Sequence, residues 1–155
     1  MWRSLRRLGV HERDVEDACQ EAFLVAHRKY GTFVGGSIRA WLFAIVRRVA
    51  ADHRKRAHVR REVLDPTLLE GGAAETTTEA IDVQRARTML DEILATLDED
   101  KREVFILFEL EGCSMAEVAQ VLECPLPTAY SRLYAAREAI ERAIARVQSR
   151  AASSP

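Results

Sequence analysis

No stretch of this chain is apolar for the roughly 20 residues that a membrane-spanning helix needs, so no membrane insertion is expected. The opening residues Met1 to Leu8 hold three arginines and no apolar run long enough for a signal peptide. A cytoplasmic location follows as the default. Cysteine is sparse: Cys19, Cys113 and Cys124 make an odd count without a Cys-x-x-Cys pair, which reads as reduced thiols rather than a disulfide framework. The four histidines, His11, His27, His53 and His58, have no zinc-ligand spacing. Neither a glycine-rich phosphate loop nor a nucleophile signature is present. These gaps argue against an enzyme, a metal site and a cofactor. Aromatic residues amount to 6% and glycines to seven of 155, while Ala, Leu, Glu, Arg and Val dominate, so helix is favoured over sheet.

The net charge of −1 hides a segregation. Residues 1–61 hold 14 Lys/Arg against 6 Asp/Glu, a net charge of +8. Residues 62–97 carry −6 and residues 98–155 carry −3. Asymmetry of this kind points to a nucleic-acid surface on one part of the chain and another role elsewhere.

Periodicity gives the elements. Asp14 or Asp17 can cap a helix running to about Tyr30, with Cys19, Phe23, Ala26 and Tyr30 on the expected buried stripe and Gly31 as its C-cap. Phe33 to Ser37 reads as a loop, and Ser37 can cap the next helix. That helix runs from Ile38 to about Ala57, burying Ile38, Trp41, Leu42, Ile45, Val46 and Val49. Arg47 and Arg54 lie on its other face, one heptad apart. Pro66, Gly71-Gly72, three threonines and scattered acids then mark a flexible acidic linker over 62–82. The expected architecture is all-α: two small helical domains, 1–61 and 83–155, joined by that linker.

In the second half, Val83 to Leu97 carries Met89, Leu90, Ile93, Leu94 and Leu97 on one face. Asp98-Glu99-Asp100 suits the start of a following helix, whose Val104 to Phe108 is apolar nearly all round and which Gly112 ends. Ser114 with Glu117 makes a capping box. Pro125 and Pro127 mark a turn and the start of the last helix, whose buried stripe is Ala129, Leu133, Ala136, Ile140 and Ile144. Ser114 to Arg137 is therefore two helices joined by a tight turn, the layout of a helix-turn-helix DNA reader. Thr128, Ser131, Arg132, Ala135 and Arg137 stay outside the stripe, where a recognition helix meets base edges. A plain helical hairpin with a solvated outer face has the same spacing. Likewise the basic helix from Ile38 to Arg61 reads as a solvated face or, with Phe33, Trp41 and Phe43 beside its arginines, as a single-strand surface; Phe33 and Trp41 fit the core better than a base platform.

Together these residues are similar to a known pattern. The stretch Asp14 to Ala26, with Glu16-Asp17-Ala18-Cys19-Gln20-Glu21-Ala22-Phe23-Leu24 at its centre, resembles the acidic segment of bacterial RNA polymerase sigma factors. Phe33 to Arg56 resembles sigma region 2, and Leu97 to Phe105, Glu111 to Ala119 and Pro125 to Leu133 resemble sigma region 4. Two regions and a short linker resemble the extracytoplasmic-function subgroup. The resemblance implies that Asp17, Gln20, Glu21, Phe23 and Leu24 dock on core RNA polymerase. It implies that Phe33, Ser37, Trp41, Arg47, Arg48 and Arg54 hold the opened non-template strand of the minus-10 element, and that Thr128, Tyr130, Ser131, Arg132 and Arg137 read the minus-35 duplex. An anti-sigma factor is the implied regulator. The chain is expected to lack the family's first region 2 helix, which would precede Trp2. Glu123 stands where many members have glycine, Tyr130 where lysine is common and Ala135 where arginine is common. The competing readings are a stand-alone helix-turn-helix regulator with an N-terminal interaction module, and a helical adaptor that binds no nucleic acid.

Overall fold

The computed structural model describes residues 1–63 and 78–152. Among them lie seven α-helices and no strand, in two compact units, Met1–Thr88 and Met89–Pro155. The helices are α1 (Trp2–Arg7), α2 (Val15–Lys29), α3 (Ile38–Val63), α4 (Thr78–Ala95), α5 (Glu99–Phe105), α6 (Met115–Val121) and α7 (Leu126–Ala152). Of the span expected as linker, residues 64–77 lie outside the described residues. Residues 62–63 and 78–82 are helical instead, as the ends of α3 and α4; their lack of apolar periodicity had masked this.

In the N-terminal unit α2 packs on both α1 and α3, and its buried face is made of small residues. Val15, Ala18, Ala22 and Ala26 are buried, at the i, i+3, i+7 and i+11 spacing of one helical face. This corrects the expected stripe: Phe23 is 61% and Tyr30 65% exposed, and Cys19 is half-buried. On α3, Ala40, Ile45, Val46, Val49 and Ala50 are buried, whereas Ile38 is exposed.

Helix α1, too short to show a period, was not foreseen. Leu5, Leu8 and Val10 pin it into the core. It ends on Gly9 at φ 87°, with the Gly9 and Val10 amides donating to the carbonyls of Arg6 and Leu5, a left-handed helix stop that glycine adopts without strain. Gly31 makes no such stop, because α2 runs into a 3-10 turn at Tyr30–Thr32.

The C-terminal unit buries larger side chains: Ile93, Leu94 and Leu97 at the end of α4, Val104, Ile106 and Leu107, and Ala129, Leu133, Ala136 and Ile140 of α7. Asp98 caps α5, accepting from the Lys101 amide at 2.9 Å. Arg102 closes the end of α4, its Nε donating to Leu94 O at 2.8 Å and Nη2 to Leu97 O at 2.7 Å. After Phe105 the helix widens into a π-helical turn, Ile106–Leu110, before Gly112 turns the chain at φ 67°.

Candidate nucleic-acid interface

Helices α6 and α7 form the expected hairpin. Ser114 Oγ accepts from the Glu117 amide at 3.3 Å, and the Glu117 carboxylate accepts from the Ser114 amide at 2.7 Å. The capping box is complete. Met115, Val118, Ala119 and Leu122 all face inward. At the far end of α6 the Glu123 amide donates to Gln120 O at 3.2 Å and the Cys124 amide to Ala119 O at 3.0 Å. This is the stop seen after α1, but the left-handed position is filled by Glu123, at φ 53°, where a side chain costs roughly 1–2 kcal/mol. Pro125 O accepts from the Ala129 amide at 3.1 Å and so opens α7. Pro127 sits in its first turn, where no intrahelical amide is needed.

On α7, Tyr130 and Ser131 are exposed, and Thr128, Arg132 and Arg137 are half-buried. Ser131 Oγ donates back to Thr128 O at 2.9 Å. Neither arginine simply projects into solvent. Arg132 Nη2 lies 2.7 Å from Asp100 Oδ2 of α5. Arg137 meets Glu109 Oε1 through Nε at 2.7 Å and Nη2 at 2.5 Å, and its guanidinium carbon stands 5.8 Å from the centre of the Phe108 ring. Tyr134, 63% exposed, was missed by the sequence reading; it lies one helical turn beyond Tyr130.

In the N-terminal unit the loop before α3 carries Val34, fully exposed, between the Phe33–Trp41 pair and two glycines at φ 95° and 93°. The Phe33 and Trp41 rings are half-buried, 5.4 Å apart and tilted by 52°. Ser37 Oγ accepts from the Ala40 amide at 3.2 Å, so it caps α3 as expected. Arg48 is exposed and Arg47 half-buried. Arg54 instead turns inward: its guanidinium donates to Leu8 O, 46 residues away, at the end of α1.

On α2, Asp17, Gln20, Phe23 and Leu24 are exposed together. Glu21 departs from this face. Its carboxylate accepts from Arg56 Nη1 at 3.3 Å and lies 3.0 Å from His53 Nε2. Burial works to raise the Glu21 pKa, but the hydrogen bonds from His53 and Arg56 outweigh it and hold the carboxyl below its ordinary value of 4.5. A second cross-link joins Arg60 Nη2 to Asp14 Oδ2 at 3.3 Å. Asp14 thus starts α2 by position, with its carboxylate turned to α3 rather than to the helix amides. Among the described residues no helix is long and apolar enough to cross a membrane, and no cluster of potential metal ligands occurs.

Comparison with known proteins follows this division. Residues 1–60 match the family model for sigma-70 region 2, and residues 87–140 match that for sigma-70 region 4. The chain is 36% identical over 146 residues to the RNA polymerase sigma-H factor of Pseudomonas aeruginosa, covering 87% of this chain and 76% of that protein. It is 31% identical over 141 residues to the ECF RNA polymerase sigma-E factor of Escherichia coli K12, covering 84% and 74%. Among solved structures it resembles the sigma factor RpoE of Bartonella quintana, crystallised with the anti-sigma factor NepR: TM-score 0.74, 25% identity, 92% of this chain and 89% of that one. It shares its fold with CnrH, solved with the cytosolic domain of CnrY: TM-score 0.68, 24% identity, covering 94% and 80%. The chain belongs to the extracytoplasmic-function subgroup of bacterial RNA polymerase sigma factors, which direct the polymerase to promoters and so start transcription.

Proposed function

We propose a residue-level division of that work. Asp17, Gln20, Phe23 and Leu24 on α2 meet core RNA polymerase; two large apolar side chains exposed among acids and Gln support a docking face. The Phe33–Ser37 loop takes an unpaired base of the minus-10 element beside the Phe33–Trp41 pair, and Arg47 and Arg48 follow the opened strand. Thr128, Tyr130, Ser131, Arg132 and Arg137 read the minus-35 duplex from the first turns of α7. Glu21 and Arg54, counted with these surfaces in the sequence, serve the fold of the N-terminal unit, as their partners His53, Arg56 and Leu8 O indicate.

The promoter-binding domains are 1–61 and 83–155. The chain acts in the cytoplasm, with no catalytic chemistry or cofactor of its own. Its regulator is an anti-sigma factor, a reading supported by the complex in which the similar RpoE was solved.

The observation that carries the proposal is the order of the two sigma regions in one chain, each with an exposed polar or basic helix face where its contacts are needed. Reconstitution with core RNA polymerase on a library of genomic promoters tests it. Initiation that depends on both promoter elements is expected. No promoter-dependent initiation from any member would overturn it.

A further inference from the structure

Arg132 and Arg137 are five residues apart and so lie about 140° apart around α7. They bracket its outer face, and each flank is tied to an acid of the segment beneath it, Asp100 in the first turn of α5 and Glu109 in the π-helical turn. The two ties differ. Arg137 commits two nitrogens to one Glu109 oxygen and sets its guanidinium near the Phe108 ring. The wide turn brings these consecutive residues to the same cation. Arg132 commits a single nitrogen to Asp100, which leaves most of the five guanidinium N–H donors for another acceptor.

We propose that Asp100 is a specificity-determining positioning residue, holding the Arg132 guanidinium so that it meets a guanine edge without leaving its carboxylate. The inference rests on the assignment of Arg132 to the minus-35 interface. A guanine offers two acceptors, O6 and N7, to two parallel N–H groups. With Asp100 occupying one donor, Arg132 can still present such a pair in the groove, and the ion pair survives in the cognate complex. Swinging outward to a phosphate of an unrelated sequence requires that the pair break. An exposed ion pair is worth at most about fivefold in an equilibrium, so the expected gain in discrimination is up to that factor. Neutralising Asp100 also removes a negative charge near the DNA, which strengthens binding to any sequence. The measured quantity is therefore the ratio of two affinities.

The experiment uses holoenzyme assembled from core polymerase and the full chain. Its DNA probes are a promoter recovered by selection with the wild-type holoenzyme and the same promoter with its upstream element scrambled. Asp100→Asn, nearly isosteric and at an exposed position, should lower the ratio of the two affinities by about three- to fivefold, chiefly by raising affinity for the scrambled DNA. In an Arg132→Ala background the same substitution should leave the ratio unchanged, since no guanidinium remains to be held. An unchanged ratio in the wild-type background, or an equal fall in both backgrounds, would overturn the role of Asp100. A ratio that Arg132→Ala itself leaves unchanged would instead overturn the minus-35 assignment and the inference with it.

Discussion

The two units of this chain solve opposite problems. Residues 1–61 of the N-terminal unit carry +8, and part of that charge serves the unit's own assembly. Arg54 holds the end of α1, and Arg56 and Arg60 tie α3 back to α2. The buried face of α2 is one valine and three alanines, while Phe23 and Leu24 are carried outward. The C-terminal unit is net acidic and held by larger side chains, Leu94, Ile106 and Leu133. There Asp100 and Glu109 pair with Arg132 and Arg137 of α7. The contrast matches the proposed division between binding strength and sequence choice. Phosphate neutralisation supplies strength, and the exposed basic face of α3 is suited to it. A few oriented donors supply choice, and α7 is suited to that.

The largest effects are expected at the two cores. Leu133, 2% exposed, should behave as a large-to-small core site. Leu133→Ala is expected to destabilise the C-terminal unit by about 2–5 kcal/mol, read by denaturant unfolding. Both tryptophans, Trp2 and Trp41, lie in the N-terminal unit, so tryptophan fluorescence should follow that unit and stay nearly unchanged. The reciprocal experiment enlarges a small residue. Ala22, fully buried on the inner face of α2, leaves no room for a longer side chain. Ala22→Leu should cost about 1–3 kcal/mol and lower the denaturant midpoint of the tryptophan signal. A result in which the small-residue interface tolerated leucine would remove the structural half of the contrast.

A smaller effect is expected at the turn between α6 and α7. Glycine at position 123 would adopt the left-handed backbone without a side-chain penalty, against some loss of unfolded-state restriction. Glu123→Gly should raise C-terminal stability by less than about 1 kcal/mol, seen as a small upward shift of that unit's melting midpoint. The smallest expected effect is acid sensitivity. Because the Glu21 pKa is lowered in the folded chain, its pairing with His53 and Arg56 stabilises fully above the ordinary value of 4.5. That contribution is lost as pH falls through the folded pKa. Glu21→Gln should therefore flatten the acid limb of the tryptophan-monitored stability profile; an unaltered limb would show that the pair contributes nothing.

Much of the helix-turn-helix was legible in the sequence because its signals are local. Ser114 and Glu117 are three residues apart, Gly112 and Pro125 are punctuation, and the apolar stripes of α6 and α7 are regular. Helix α2 misled because two stripes compete along it. Cys19, Phe23, Ala26 and Tyr30 look more apolar than Val15, Ala18, Ala22 and Ala26, yet the smaller set is the buried one. A six-residue α1 is too short to display a period. The ties of Arg54 to Leu8, Arg132 to Asp100 and Arg137 to Glu109 join residues 46, 32 and 28 positions apart, so no local pattern announces them. The candidate surfaces were correspondingly half legible: residue types and faces could be read, but not which charged groups the fold turns inward.

Strength from α3 and choice from α7 are separated by the salt dependence of holoenzyme binding to promoters with intact and scrambled upstream elements. Arg48→Ala should weaken both promoters alike and lower the salt slope by about 0.7–0.9. Arg132→Ala should cost about 1–3 kcal/mol on the intact upstream element alone, with the scrambled promoter nearly unaffected. Uniform weakening by Arg132→Ala, together with an Arg48→Ala loss confined to one upstream sequence, would contradict that division.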